Sequence, residues 1–256
     1  AAENQRLSSL VISDRKELRI RNSNTLNFDF KDIIGSNQKL KVLIGEETID
    51  YRSNEITSTI QAFPKLFTFE NAINLSSQGK PLSVNNYYNP DDKLMSFFGR
   101  VNYDLFNKYL FTATYRADGS SKFLGANKWG YFPSAAVAWK LKEEKFLKDV
   151  NWINSLKLRA SYGIVGNAEI GNFPQLDLFS GDAGYAGVGG QRPSQLGNDD
   201  LRWETTAQMD FGFDFGLLNN RITGEIDYYR KKTNGLLLNV NIPATTGFNS
   251  QVRNVG

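Results

Sequence analysis

The sequence of 256 residues contains no cysteine and no histidine. Without cysteine there is neither a disulfide framework nor a thiolate metal site. Without histidine the chain lacks the commonest general base and the commonest transition-metal ligand. No stretch approaches the roughly 18 to 20 consecutive apolar residues of a membrane-spanning helix. That excludes a helical membrane protein but leaves a β-barrel open, because a barrel strand needs only about 9 to 11 alternating residues. Basic and acidic residues nearly balance, 30 against 27, and there is no basic block, so a nucleic-acid partner is not implied. Residues 1–6 hold no apolar signal-peptide core. Residues 254–256 complete no strand pattern, and both ends read as cut from a longer chain.

What the sequence does hold is alternation. In the stretch 109–141, Tyr109, Phe111, Ala113, Tyr115 and Ala117 alternate with Leu110, Thr112, Thr114, Arg116 and Asp118. After a polar loop, Tyr131, Pro133, Ala135, Val137 and Trp139 alternate with Phe132, Ser134, Ala136, Ala138 and Lys140. A period of two is the mark of a strand with two unlike faces. The same pattern recurs around Leu18, Leu40, Phe97, Leu158, Phe211 and Ile226. One face is apolar and aromatic, and the other carries charge, which suits a water-filled lumen better than a packed core. Phe111, Tyr115, Val137, Leu158, Phe211, Phe213 and Ile226 are therefore expected to point outward, and Arg116, Arg159, Asp210 and Asp227 inward. Trp129, Tyr131, Trp139, Tyr103, Tyr109, Trp203, Tyr228 and Tyr229 lie near strand ends, as interfacial aromatic girdles do.

The breaks between strands have their own order. Residues 13–16 read as a turn, 53–91 and 163–202 as long loops, and helical turns are expected near 67–74 and 143–148. If strands run alternately down and up, the connections 32–37, 105–108, 141–154 and 216–220 share one end. Those at 53–91, 119–128 and 163–202 share the other. All the longest loops then fall on one side, as in barrels with short periplasmic turns and long extracellular loops. A soluble or surface-attached β-domain that binds glycan or protein is the competing reading. It buries the apolar face and solvates the other.

Few residues suggest chemistry. The 118–122 segment DGSSK leads into a strand rather than the helix that a phosphate-binding loop requires. The 161–166 segment SYGIVG has no helix after it, unlike a dinucleotide site. Asp210, Asp214, Glu225 and Asp227 sit on the polar face. A glycosidase pair and a calcium site compete there with the plainer reading, a wet lumen in which Arg116, Lys157 and Arg159 are the countercharges. No catalytic, metal or cofactor residue is assigned, and the chain is read as no enzyme. Candidate substrate contacts are Tyr87, Tyr88, Tyr185 and Trp203 beside the long loops, with Arg116, Asp118 and Arg159 on the polar face.

Several segments together carry a family likeness. The runs YRADGSSKF (115–123) and WGYFPS (129–134), with Trp139, resemble the central barrel signature of SusC/RagA-type TonB-linked outer-membrane proteins. The runs WINSLKLRASYG (152–163), GNAEIGN (166–172), LRWETT (201–206) and NRITGEIDYYRKKTNGLLL (220–238) follow in the family's order. Leu124, where Gly is usual, and Gly235, where an acidic residue is common, are small departures. The resemblance implies an all-β, antiparallel up-and-down transmembrane β-barrel of 22 strands, of which residues 1–256 would supply about ten from the middle. The plug domain, the TonB-contacting segment and the C-terminal strands are not seen in this sequence.

The resemblance further implies active import of glycans or peptides across the bacterial outer membrane. TonB would act through the missing N-terminal part, a SusD-like surface lipoprotein would be the lid, and outer-membrane lipid would surround the wall. It implies no cofactor.

Overall fold

A computed structural model describes residues 8–30, 35, 37–171, 173–185 and 188–256. Side chains 90, 91, 182, 183 and 185 lie outside the described set. Among the described residues, twelve strands follow in chain order. These are β1 (Ser9–Asp29), β2 (Gln38–Gln61), β3 (Lys80–Leu105), β4 (Tyr109–Ser120), β5 (Trp129–Lys140) and β6 (Ile153–Asn167). After them come β7 (Leu178–Tyr185), β8 (Val188–Gln195), β9 (Glu204–Leu217), β10 (Ile222–Asn234), β11 (Leu236–Asn241) and β12 (Ser250–Val255). Eight of them form one sheet in the order β1-β2-β3-β4-β5-β6-β9-β10, while β7–β8 and β11–β12 are separate two-stranded ribbons. The ladders from β3 to β10 are all antiparallel, so the architecture is all-β and up-and-down.

The chain divides into two compact units, Ala1–Ile20 with Asp50–Asp92, and Arg21–Ile49 with Lys93–Gly256. In the first, the helix α1 (Phe69–Asn74) is capped by Thr68, whose hydroxyl accepts from the Asn71 amide. Phe63 is buried and stacks on Phe67 at 6.2 Å between centroids. Gly79 lies so close to Phe63 and Ile60 that a Cβ there would clash. Residues 53–91 are thus not one long loop. β2 runs on to Gln61 and β3 begins at Lys80, with α1 in the connection between them. Residues 13–16 likewise lie within β1 rather than in a turn. Over residues 50–61 and 80–89 Ser, Thr, Asn and charged side chains occupy both faces, so these parts of β2 and β3 carry no period-two signature to read.

The second unit holds the repeating face pattern. Cα partners in a ladder share a face. Val137 pairs with Phe111 and with Ala160, Ala160 with Phe211, and Phe211 with Tyr228. Leu158 pairs with Trp139 and Phe213, and Phe213 with Ile226. The opposite face carries Arg116 beside Phe132, and Arg159 beside Gly212 and Asp227. All seven residues expected on the apolar face share it, and Arg116, Arg159, Asp210 and Asp227 share the other. Tyr229 differs from expectation: it pairs with Asp210 and so belongs to the charged face, while its neighbour Tyr228 is on the apolar one.

Among the described residues, none covers the apolar face of this unit. Phe111, Tyr115, Val137, Phe211 and Ile226 expose 43%, 53%, 47%, 49% and 66% of their surface. Leaving one such side chain half wet forfeits on the order of 1 kcal/mol. Ten of them would offset much of the roughly 5–15 kcal/mol by which a domain is stable. The small buried set instead sits where a connection folds over the charged face. Phe123 and Leu201 are fully buried, and Phe132 nearly so. Trp203 packs on Phe123 and Phe132 at 5.4 and 5.3 Å, and its indole N–H donates to the Lys128 carbonyl at 3.1 Å. Gly130 and Gly166 are required beside Phe132, since a Cβ at either would meet its ring.

Connections alternate between the two ends of this unit. Residues 106–108, 141–152 and 218–221 leave one end, and 121–128 and 168–203 leave the other. The short turns use positive φ at Phe106 and Asn107 (both 56°) and at Leu218, Asn219 and Asn220 (52°, 59° and 59°), which the right-handed twist of a hairpin favours. The 163–202 region also contains more structure than a loop: β6 reaches Asn167, and β7 and β8 form a hairpin. Its glycines hide the pattern because they contribute no side-chain alternation. The 3-10 turn Leu141–Glu143 and the helix α2 (Lys145–Lys148) occupy the expected helical position.

Glu144 fastens the 141–152 connection to the strand ends. It accepts from the Tyr109 hydroxyl at 2.6 Å, the Lys108 ammonium at 3.1 Å and the Trp139 indole at 3.1 Å. The tyrosine most of all, then the lysine and the indole, lower its carboxyl from 4.5 to about 2. A depressed carboxyl stabilises the fold above its unfolded pKa, and that stabilisation is lost as pH falls towards the folded value. The intact protein should therefore lose denaturant resistance between about pH 5 and pH 2. Glu144→Gln should remove this part of the loss. Unfolding midpoints that fall equally in both proteins over that interval would contradict the assignment.

Candidate functional site

The charged face of β4, β5, β6, β9 and β10 is the best-defined candidate site. Side chains two apart on each strand return to this face, so polar residues at alternate positions of neighbouring strands are brought into rows. Two arginines organise those rows. Arg159 on β6 grips Asp214 on β9 through Nε at 2.9 and 3.0 Å and through Nη2 at 2.6 Å. The same Nη2 reaches Asp227 on β10 at 3.0 Å, with Glu225 at 3.8 Å. Lys157 supplies a second cation to Asp214 at 3.2 Å. A planar guanidinium with a forked set of donors suits such two-oxygen contact.

Arg116 on β4 organises the second cluster. Its Nε donates to both carboxylate oxygens of Asp118, at 2.7 and 2.9 Å, and its Nη2 donates to the Ser96 hydroxyl at 2.8 Å. Glu47 lies 3.7 Å away and is also paired with Arg21. The guanidinium sits 5.4 Å from the Phe98 ring centroid. Asp118 and Glu47 are buried, so these countercharges are needed. A shallow groove of about 260 Å³ lies on the same face, lined in part by Thr112, Ser134, Ser161, Gln208 and Asp210. Asp210 accepts there from Ser161 at 3.2 Å and from Gln208 at 2.8 Å. Ala135, Ala136, Tyr162 and Val165 also line the groove, which is mixed in character.

The sequence-derived candidates are thus distributed rather than convergent. Arg116 and Asp118 form one cluster, and Arg159 belongs to another. Tyr87 and Tyr88 are exposed, on β3 within the first unit. Trp203 packs its ring against Phe123 and Phe132. Tyr185 ends β7, and its side chain lies outside the described residues. Among the described residues there is no group of three or more His, Cys, Asp or Glu arranged to hold a metal ion. Asp210, Asp214, Glu225 and Asp227 are accounted for by ion pairs and hydrogen bonds with Arg159, Lys157, Ser161 and Gln208.

Glu47 and Ser96 were missed by sequence reasoning. Glu47 continues the alternate positions of Lys39 and Lys41 on β2, and that parity was the available signal. Aromatic stacks mark both ends of the opposite, apolar face. Tyr109 stacks with Trp139 at 6.3 Å at one end, and Phe97 with Trp129 at 6.1 Å and Tyr115 with Tyr131 at 6.3 Å towards the other.

The arrangement agrees with what the chain resembles. Residues 4–256 match the family model described as TonB dependent receptor-like, β-barrel. The TonB-dependent receptor SusC of Bacteroides thetaiotaomicron is 48% identical over 178 residues, 66% of this chain and 18% of that protein. The TonB-dependent receptor P26 of Formosa agariphila is 38% identical over 241 residues, 92% of this chain and 24% of its own length. Among solved structures, one of the RagAB peptide transporter superposes with a TM-score of 0.84 at 32% identity, covering 98% of this chain and 27% of the matched chain. The chain therefore spans no more than about a quarter of these relatives.

The Arg159 cluster makes a quantitative prediction. Arg159→Met removes the two-oxygen grip on Asp214, leaving it with Lys157 alone, and removes the single hydrogen bond to Asp227. Hydrogen bonds to charged groups contribute about 1.5–3 kcal/mol each, and partial exposure reduces that, so a loss of about 1–2 kcal/mol is expected. Adding Asp214→Asn should recover part of it. A double-mutant cycle in the intact protein, followed by urea unfolding, measures the coupling. Strictly additive effects would show that the two side chains do not interact.

Proposed function

This chain belongs to the TonB-dependent receptor β-barrel family, and on that footing we propose that it forms wall and outward loops of an outer-membrane importer of oligomeric nutrients. The family is one of transport receptors rather than enzymes, and its SusC and RagA relatives are outer-membrane proteins. The observation that carries the reading is the two-faced sheet. Its apolar side is left uncovered and its other side is lined by satisfied charge. Hydrocarbon outside and water inside give each face the solvent it needs. A strand of 12 residues, the length of β4 and of β5, is about 40 Å long, and a tilt of about 45° brings its height close to the roughly 30 Å of a bilayer core.

The cargo is an oligomer, glycan or peptide. Arg116, Asp118 and Arg159 with their partners line its path, and hydroxyls and amides such as Ser161 and Gln208 offer exchangeable hydrogen bonds along it. The 168–203 connection faces the outside. Tyr87, Tyr88, Tyr185 and Trp203 are candidate stacking surfaces for cargo. The plug and the TonB-contacting segment belong to other parts of the same protein, and a SusD-like lipoprotein closes the outer mouth. This reading of partners rests on the likeness to SusC and RagAB, and the latter is described as a peptide transporter.

Uptake measures the proposal. Cells in which the intact gene is deleted should lose accumulation and growth on one class of labelled oligomer, glycan or peptide, while monomer uptake continues. Restoring the intact gene should restore both. Unchanged uptake of every oligomer would remove the importer reading, and hydrolysis of an oligomer by the purified protein would point to an enzyme instead.

A further inference from the structure

A polar pocket of about 640 Å³ lies between the β11–β12 hairpin and the segment leading into β9. Its walls are held by amide side chains that spend their donors on backbone carbonyls. Asn198 Nδ2 donates to the Val252 carbonyl at 2.9 Å, and Gln251 Nε2 donates to the Gly197 carbonyl at 2.6 Å. Asn254 Nδ2 donates to the carbonyls of Arg202 and Gly235, both at 2.8 Å, and its Oδ1 accepts from the Arg202 amide at 2.9 Å. These bonds fasten the hairpin to residues 197–202, so the pocket is preformed.

Two guanidinium groups are left over. Arg202 and Arg253 both line the pocket and both are exposed. Arg253 donates Nε to the Gln251 side-chain oxygen at 2.8 Å, which fixes its orientation and leaves its terminal nitrogens available. Among the described residues neither arginine has a carboxylate within ion-pair distance, in contrast to Arg116 and Arg159. The other free groups are acceptors. Asp200 presents a carboxylate, and Asn127 retains its side-chain oxygen after donating to the Asp200 carbonyl at 3.3 Å. No aromatic or aliphatic side chain lines the pocket.

We propose that this pocket is a subsite for an anionic sugar, with Arg202 and Arg253 taking the carboxylate of a uronic acid and Asp200 and Asn127 accepting its hydroxyls. The donor fork of arginine matches a carboxylate. The pocket offers no apolar lining for an aliphatic or aromatic peptide side chain, and the acceptors beside the arginines suit the hydroxyls of a sugar ring. The inference rests on the importer reading and narrows its cargo to acidic oligosaccharides.

The test compares two ligands that differ at the carboxyl group, an anion in one and a neutral methyl ester in the other: an oligogalacturonate and its fully methyl-esterified form. Binding to the purified intact protein is measured by calorimetry. The free acid should bind about ten- to a hundredfold more tightly than the ester, and the preference should fall as salt rises. Arg202→Gln with Arg253→Gln should erase the preference while ester binding persists, and Arg202→Lys with Arg253→Lys should keep much of it. Equal binding of acid and ester by the unaltered protein overturns the subsite. So does a preference that survives the double glutamine variant, or a loss of acid and ester binding alike in both double variants. If the intact protein still imports neutral glycans or peptides, only the subsite falls. If it imports no oligomer, the importer reading falls with it.

Discussion

The apolar face of the sheet is the constraint on which the rest depends. Phe111, Val137, Leu158, Phe211 and Ile226 lie across five strands, and among the described residues none covers them. Contact with water at that face would offset a large share of the stability of an ordinary domain. A hydrocarbon solvent removes the penalty and imposes its own rule: every backbone donor and acceptor must be satisfied within the sheet. The long ladders from β3 to β10 meet that rule over the paired lengths, with one irregularity between Ile153 and Ser155 in the β6–β9 pairing. The charged face follows from the same constraint, because side chains that alternate out of lipid have to turn towards water.

Charge on the inner face is held rather than scattered. Arg159 and Arg116 each gather carboxylates from neighbouring positions, and buried Asp118 and Glu47 have cationic partners. Such pairs contribute little where they are fully wet. Their value here lies in keeping a row of like groups from repelling one another. At one strand end Glu144 ties Tyr109 and Trp139 together, so an aromatic pair on the apolar face is anchored through a carboxylate in the adjoining connection. At the other end Phe123, Leu201 and Trp203 form a small buried cluster that anchors the 168–203 connection.

Much of this was legible in the residues. Alternation around Tyr109, Val137, Leu158 and Phe211 marked the strands and sorted their faces, because lipid and water impose opposite demands at successive positions. The helical turns near 67–74 and 143–148 were legible from their sequence context. The signal failed where both faces are wet. The portions of β2 and β3 in the first unit carry polar side chains on both faces, and glycine-rich β7 and β8 have few side chains to alternate. The arginine clusters were half visible. Arg116, Asp118 and Arg159 stood out, but Glu47 depends on a ladder partner far away in sequence. The pocket beside β12 was invisible for that reason: it joins residues 127, 198–202 and 251–254, which only the fold brings together.

The central claim is that the two faces meet two different solvents. The chain has no cysteine, so single cysteines introduced along β5 from residue 131 to residue 139 can each carry a nitroxide label in the intact protein reconstituted into bilayers, any cysteine elsewhere being replaced first. Relaxation by oxygen, which concentrates in lipid, is compared with relaxation by a water-soluble nickel chelate. Labels at 131, 133, 135, 137 and 139 should respond to oxygen, and labels at 134, 136 and 138 to nickel, while residue 132, packed against Trp203, is left unlabelled. Uniform nickel access, or an alternation of the opposite phase, would contradict the account.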